Sequence, residues 1–420
     1  MNFRVHVTGT TKDFVDATLP DLVSTFVASR ITDQDPTLWG SAAESEAAIR
    51  LGWVESVNTS RPLVDEIDQV RSQLHAAGVT HIVLAGMGGS SLAPEVIAQT
   101  ANIELTILDS THPGQIAAAL GDRLSATALV VSSKSGSTVE TDSQRRAFVA
   151  AFESAGIDPA GRIIVVTDPG SPLDTAAREA GYRVFNADPH VGGRFSALTA
   201  FGLVPAGLAG VDVGELLDEA AAASLELAID HPENPGLILG AALVAGMPVR
   251  NKLGLVSDGT HIVGLPDWAE QLIAESTGKN GTGLLPVVLD TVSSELFADL
   301  ADVQSVRLVD DAHAHHLLKH DRHDGEILVS GTLGAQFLAW EYATAVAGML
   351  LNINPFDQPD VESAKVAARG LLDSRPAPTA PAFTDGAIEV RAHGDFLGSA
   401  STVREAVTAL LETVGASGYV

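Results

Sequence analysis

Two short apolar runs in this chain each end in a loop of small residues and pass straight into a helical pattern. Residues 128–132 are apolar and β-branched, which predicts a buried strand. The run breaks into Ser133-Lys134-Ser135-Gly136-Ser137-Thr138, and a helical pattern follows from Val139 through Phe152. Residues 81–85 repeat the plan: Gly86-Met87-Gly88-Gly89-Ser90-Ser91 comes next, and a helix begins at Leu92. The alternation continues, with strands predicted at 105–109, 163–168 and 182–185. After a mainly helical stretch, 196–248, more strands are predicted at 252–257, 284–289, 305–309 and 326–330, with a long helix over 333–350. Strands separated by helices of this length form right-handed βαβ crossovers and hence parallel sheets. The fold class expected is therefore α/β: two doubly wound parallel-sheet subdomains, each of three αβα layers, with extra helices. An aromatic content of only 5% agrees with strands covered on both faces by Ala-, Val- and Leu-rich helices.

The second loop in chain order, Ser133 to Thr138, is chemically a phosphate cradle. Backbone N–H groups, the dipole of the following helix and several hydroxyls would face one anion, and Lys134 adds charge. The bland alternative is a Ser/Gly turn that only links strand to helix. The first loop lets backbone approach a ligand closely. It lacks the third glycine of the GxGxxG dinucleotide fingerprint, and Asp109 is a weak ribose contact, so a nicotinamide cofactor is not indicated.

A formal charge of −28 argues against nucleic acid as a partner, and any anionic substrate must rely on local positive charge. Lysine is scarce, being confined to Lys12, Lys134, Lys252, Lys279, Lys319 and Lys365. With no cysteine there is no disulfide and no thiolate ligand or nucleophile. No run has the length of a membrane span and the first residues have no signal-peptide core, so a soluble, cytoplasmic protein is expected. Four regions are expected: an N-terminal helical segment (1–60), with helices near 15–31 and 41–53; a first subdomain with the phosphate loop (61–205); a second subdomain (206–372); and a Pro-rich linker with a C-terminal αβ segment (373–420).

Several separated motifs together resemble the phosphoglucose isomerase family of the sugar isomerase (SIS) fold. Gly86-Met-Gly-Gly-Ser-Ser-Leu-Ala-Pro94 is similar to its glycine-rich loop, and Ser133-Lys-Ser-Gly-Ser-Thr-Val-Glu-Thr141 to its phosphate loop. Val191-Gly-Gly-Arg-Phe-Ser196 resembles the signature around its active-site arginine. Gln271-Leu-Ile-Ala-Glu-Ser-Thr-Gly-Lys279 resembles the segment with its catalytic base, and Asn354 to Lys365 its second signature. The greatest similarity is to the isomerase portion of transaldolase fusions.

The resemblance implies an aldose–ketose isomerase that interconverts glucose 6-phosphate and fructose 6-phosphate through a cis-enediol, without cofactor or metal. By it, Glu275 is the base that carries the proton between adjacent carbons, Arg194 stabilises the enediolate, and Lys365 assists ring opening. Ser133, Lys134, Ser135 and Thr138 would hold the phosphate; Gly88, Gly89 and Ser90 would pack on the sugar; Gln271 would bond a hydroxyl. Each has a plainer reading, such as a surface carboxylate, an ordinary salt bridge or a helix lysine. Asp360 stands where the family has glycine, and Pro189 replaces a small or polar residue. The family's ring-opening histidine segment, supplied by the neighbouring subunit of a homodimer, has no counterpart here. The cluster His313, His315, His316, His320 and His323 does not match it; it reads as a solvated helix end or an adventitious metal site. In the fused relatives the chain is expected to continue beyond Val420 with such a histidine. The rival readings are a sugar-phosphate sensor or scaffold lacking full chemistry, and an isomerase of another aldose phosphate.

Overall fold

The computed structural model describes residues 3–298, 300–320, 325–374, 377–415 and 418; the side chains of His320, Asp360, Glu362, Lys365, Arg369, Leu372 and Asp373 lie outside that description. The chain divides into two compact units, Met1–Gln358 and Pro359–Val420. The larger unit is built on two five-stranded sheets.

The first strand of the chain, β1 (Phe3–Val7), belongs to the second sheet. The first sheet contains β2 (His81–Gly86), β3 (Thr106–Leu108), β4 (Thr127–Ser132), β5 (Ile163–Thr167) and β6 (Arg183–Asn186), all parallel, in the order β3-β2-β4-β5-β6. Every residue of β2 and β4 is buried, which is why both read as unbroken apolar runs rather than alternating ones. From β2 the chain winds outward to β3; from β4 it winds the other way to β5. The switch point of this doubly wound sheet therefore lies between β2 and β4, where ligands bind beyond the strand carboxyl ends. Gly86 pairs with Ser132 across that junction. The glycine loop and the Ser/Lys loop thus leave the sheet side by side at one level.

The second sheet repeats the scheme with β7 (Lys252–Ser257), β8 (Leu285–Leu289), β9 (Val303–Leu308) and β10 (Ile327–Gly331), ordered β1-β10-β9-β7-β8. Only β1 runs antiparallel, Phe3 facing Gly331. Its switch point lies between β7 and β9. The helix after β7, Leu265–Thr277, returns antiparallel to its strand and ends near the amino edge of this sheet, where Leu285 pairs with Lys252. The helix Leu333–Leu350 is buried almost all round, packed on Val213–Leu227 and Pro235–Val244, so its sequence is apolar without a polar face.

Three expectations need correction. Residues 1–60 are not purely helical, because β1 completes the second sheet. The helix expected at 15–31 is two helices, Gly9–Ser24 and Val27–Thr32, separated by Phe26 in the left-handed region (φ 59°). Between β8 and β9 the described residues hold a single 3-10 turn, Ser294–Leu296. The smaller unit, described by itself, holds the helix Pro359–Asp373, an antiparallel hairpin of Phe383–Asp385 with Ile388–Val390, and the helix Val403–Glu412, closed by a Thr402/Glu405 capping box. The division at Gln358 lies upstream of the boundary expected after residue 372.

Candidate active site

The centre of the site is a buried arginine. Arg194 lies in the 3-10 turn Gly193–Phe195 that follows β6 and is only 2% exposed. Its Nε donates to Ser276 Oγ at 2.7 Å, and its Nη2 to the carbonyls of Pro355 (2.7 Å) and Asp357 (3.1 Å). Its Nη1 reaches Glu275 Oε2 at 3.5 Å, an ion-pair contact too long for a strong hydrogen bond. Burial lowers the guanidinium pKa to about 10, against the opposing pull of Glu275 and Asp357. It therefore keeps its proton at neutral pH.

Glu275 sits on the last turn of the helix Leu265–Thr277, its side chain 28% exposed. Gln271, four residues earlier and so one turn away, donates to Glu275 Oε1 at 3.0 Å. The carboxylate is thus held from two sides and still reaches solvent. Gly88 and Gly89 form the 3-10 turn Gly88–Ser90 after β2. A Cβ on Gly88 would fall 2.7 Å from Gln271 Nε2; one on Gly89 would fall 2.3 Å from the Gly193 carbonyl oxygen. The glycine loop is therefore glycine so that the arginine turn and the carboxylate-bearing helix can close on it. Ser90 is 9% exposed, and Ser196 Oγ donates to Gly193 O at 2.6 Å, tying the arginine turn to itself.

The Ser/Lys loop lies next to this group at the same sheet edge. Ser133 and Thr138 hydroxyls are 3.1 Å apart, and Ser135 and Ser137 hydroxyls 2.9 Å apart. Thr138 begins the helix Val139–Ser154 without a side-chain cap. Lys134 does not point freely outward: its ammonium pairs with Asp168 Oδ2 at 2.7 Å and donates to Pro189 O at 3.3 Å. Burial raises the Asp168 pKa although Lys134 opposes it, and Asp168 Oδ1 has no hydrogen-bond partner among the described residues. Arg50 Nη1 also approaches Pro189 O, at 3.4 Å. The segment from Pro189 to Arg194 thus runs from the lysine to the arginine.

The structure brings Gly88, Gly89, Arg194, Gln271 and Glu275 into contact, with Ser133, Lys134, Ser135 and Thr138 on the adjoining loop. Lys365 lies on the helix Pro359–Asp373 of the smaller unit, and its side chain lies outside the described residues. In the histidine cluster, His313 Nε2 lies 3.2 Å from Asp258 Oδ1 and its ring stacks on His316; the side chain of His320 and all of His323 lie outside the described residues. Sequence reasoning missed Ser276, Asp357 and Lys279. Lys279 is 4% exposed and donates to Asn354 O (2.8 Å), Asp357 O (2.8 Å) and Asp357 Oδ1 (2.6 Å). Its signal was present in the scarcity of lysine and in its place four residues after Glu275.

No family model matches the chain. Among curated proteins it is 28% identical over 379 residues to the glucose-6-phosphate isomerase of Thermosynechococcus vestitus, covering 74% of this chain and 71% of that protein. It is 28% identical over 393 residues to the glucose-6-phosphate isomerase of Mycoplasmopsis pulmonis, covering 77% and 90%. Among solved structures, a hypothetical protein of Thermus thermophilus superposes with a TM-score of 0.70 at 23% identity, over 88% of this chain and 99% of that one. A glucose-6-phosphate isomerase of Chlamydia trachomatis superposes with a TM-score of 0.68 at 18% identity, over 89% and 90%. These structures share the fold described above.

Proposed function

We propose that this chain, a homologue of the glucose-6-phosphate isomerases over most of its length, is an aldose–ketose isomerase that interconverts glucose 6-phosphate and fructose 6-phosphate. The observation that carries the reading is the contact of Glu275 with both Arg194 and Gln271, beside the glycine loop at the switch point of the first sheet. Glu275 takes the proton from C2 of the open-chain aldose and returns it to C1 on the same face. The electron pair released from the C–H bond forms the C1–C2 double bond of the enediolate, whose O1 charge faces the Arg194 guanidinium. The O2 hydroxyl proton passes to O1, and the pair left on O2 forms the C2 carbonyl as C1 is protonated. Arg194 suits this role because burial and carbonyl acceptors hold it rigid while its proton stays in place. Gln271 fixes the carboxylate rotamer and donates to a substrate hydroxyl. Ser133, Ser135 and Thr138, with the open N-terminus of Val139–Ser154, take the phosphate, and Lys134 tightens that loop through Asp168. Gly88, Gly89 and Ser90 border the sugar, and Lys365 takes the ring-oxygen role by resemblance alone. A cytoplasmic location belongs to the same reading. Among the described residues no helix is long and apolar enough to cross a membrane.

The test is interconversion of the two hexose phosphates by purified protein, together with Glu275→Gln. The variant should lose on the order of 10²–10⁴-fold in kcat, the usual contribution of a general base, while still binding sugar phosphate. A folded wild-type protein that converts neither substrate would sink the proposal.

A further inference from the structure

We propose that Lys279 is a positioning residue that keeps the Asp357 carboxylate away from Arg194, leaving the guanidinium charge available to the reaction. This rests on the isomerase reading above. Three side chains and one loop carry the argument. The Lys279 ammonium is buried and uses all three of its protons, on Asn354 O, Asp357 O and Asp357 Oδ1. Arg194 Nη2 donates into the same loop, to Pro355 O and to Asp357 O. The two cations therefore share one carbonyl, that of Asp357, and among the described residues only Lys279 holds the Asp357 carboxylate.

That division matters because a buried guanidinium draws any carboxylate within reach, and a bidentate pair is the strongest form of that attraction. The Asp357 side chain is 39% exposed, and its own backbone carbonyl already lies 3.1 Å from Arg194. Were it to pair with Arg194, the arginine charge would be neutralised by a fixed anion rather than by the enediolate that develops in the transition state. The geometry avoids this: Arg194 is held by neutral acceptors (Ser276 Oγ and two carbonyls) and by one long contact to Glu275. Lys279 also stands four residues beyond Glu275, just past the end of the same helix, so one segment supplies the base and the group that protects its partner. Burial lowers the Lys279 pKa, and Asp357 opposes that shift.

The experiment is a mutant cycle of Lys279→Met, Asp357→Asn and the double variant, with kcat and KM measured separately for both hexose phosphates. Lys279→Met should lower kcat on the order of 10²-fold, the cost of losing one oxyanion-stabilising group, with KM changed by less than about threefold. Adding Asp357→Asn should restore kcat to within about tenfold of wild type, because the competing carboxylate is gone and the two sites couple. A purely structural lysine gives no such recovery. A double variant as slow as Lys279→Met, or a Lys279→Met with wild-type kcat, overturns the proposal. If Lys279→Met does not fold, the comparison moves to Asp357→Asn against the double variant. Their kcat values should then agree within about threefold, and a tenfold deficit in the double variant overturns the idea. An inactive wild-type protein would instead mean that the isomerase reading itself has failed.

Discussion

Replacing Gly89 by alanine tests whether close backbone approach sets the catalytic geometry. Gly89 does not require a left-handed backbone, so alanine meets no conformational objection there. The objection is space. A Cβ would lie 2.3 Å from Gly193 O, 2.4 Å from Gly193 C and 3.0 Å from Arg194 N, whereas ordinary contact begins near 3.4 Å. The nearest atoms are all backbone and cannot rotate away, so the two turns must part by about 1 Å. The Arg194 backbone would move while its guanidinium stays tied to Ser276, Pro355 and Asp357. Misplacement by 1 Å costs on the order of 10²-fold in rate, and overpacking costs about 1–3 kcal/mol in stability. The expected result is kcat reduced roughly 100-fold, with a fall of a few degrees in the unfolding midpoint. Gly161→Ala, with nothing within 4 Å of its Cβ, is the matched control. Steady-state kinetics and thermal unfolding on the same preparations decide it. A folded Gly89→Ala protein with turnover within about threefold of the control would refute the claim that this contact positions Arg194.

Two buried titratable groups make stability depend on pH in opposite directions. His81 bonds Thr127 Oγ1 (3.3 Å) and Thr106 Oγ1 (2.9 Å), and burial, with Arg123 adding to it, lowers its pKa from 6.5. The unfolded chain binds the extra proton first, so this contribution is present above pH 6.5 and is lost as pH falls toward the lower folded value. His81→Asn should remove that acid sensitivity, seen as a smaller change in denaturation midpoint between neutral and mildly acidic buffer. Glu341 is 0% exposed, neither carboxyl oxygen has a partner among the described residues, and burial raises its pKa well above 4.5. The fold holds its proton, so its contribution is full below pH 4.5 and declines as pH rises through the folded value. Glu341→Met should raise the unfolding midpoint at neutral pH, relieving the ~1–3 kcal/mol that an unpartnered buried polar group costs. An advantage over wild type that failed to grow between pH 4.5 and neutrality would count against this.

The central parallel strands were legible because strands covered on both faces leave unbroken apolar runs, as at β2 and β4. Their alternation with helices also implied the winding. β1 was not legible: as an antiparallel edge strand only Phe3 is fully buried, and Arg4 and His6 interrupt the pattern. The break at Phe26 escaped notice because a bulky residue in the left-handed region has no sequence signal. Of the side chains that the fold groups here, Arg194, Gln271 and Glu275 stand in contiguous motifs, which is what let the family resemblance point to them. Asp357 was not singled out, since its contact with Lys279 depends on a loop brought from far along the sequence. The sequence also suggested that Lys134 faces the ligand directly, whereas its pairing with Asp168 depends on two strand ends becoming neighbours.

Why one repeated plan yields a single site follows from what fills each switch point. At the first, Gly86–Ser91 and Ser133–Thr138 present backbone and hydroxyls, and the Lys134–Asp168 pair beside them stays partly exposed. At the second, Asp258 accepts from Arg307 at 2.9 Å, Arg307 also pairs with Glu326, and the His313 ring lies against Gly259. Charges satisfied in this way have no reason to bind an anion. The second half contributes differently: the helix after β7 returns to the amino edge of its sheet and there delivers Gln271 and Glu275. The site is thus the carboxyl edge of one sheet completed by the amino edge of the other. In a chain of charge −28, that arrangement brings Arg194, held by neutral acceptors and one long contact to Glu275, to the edge where an anionic sugar would need it. Reversing Arg307 to an uncharged residue should therefore lower stability, read as the unfolding midpoint, and leave KM for the hexose phosphates unchanged. A raised KM in a folded Arg307→Met protein would show that the two switch points are not independent.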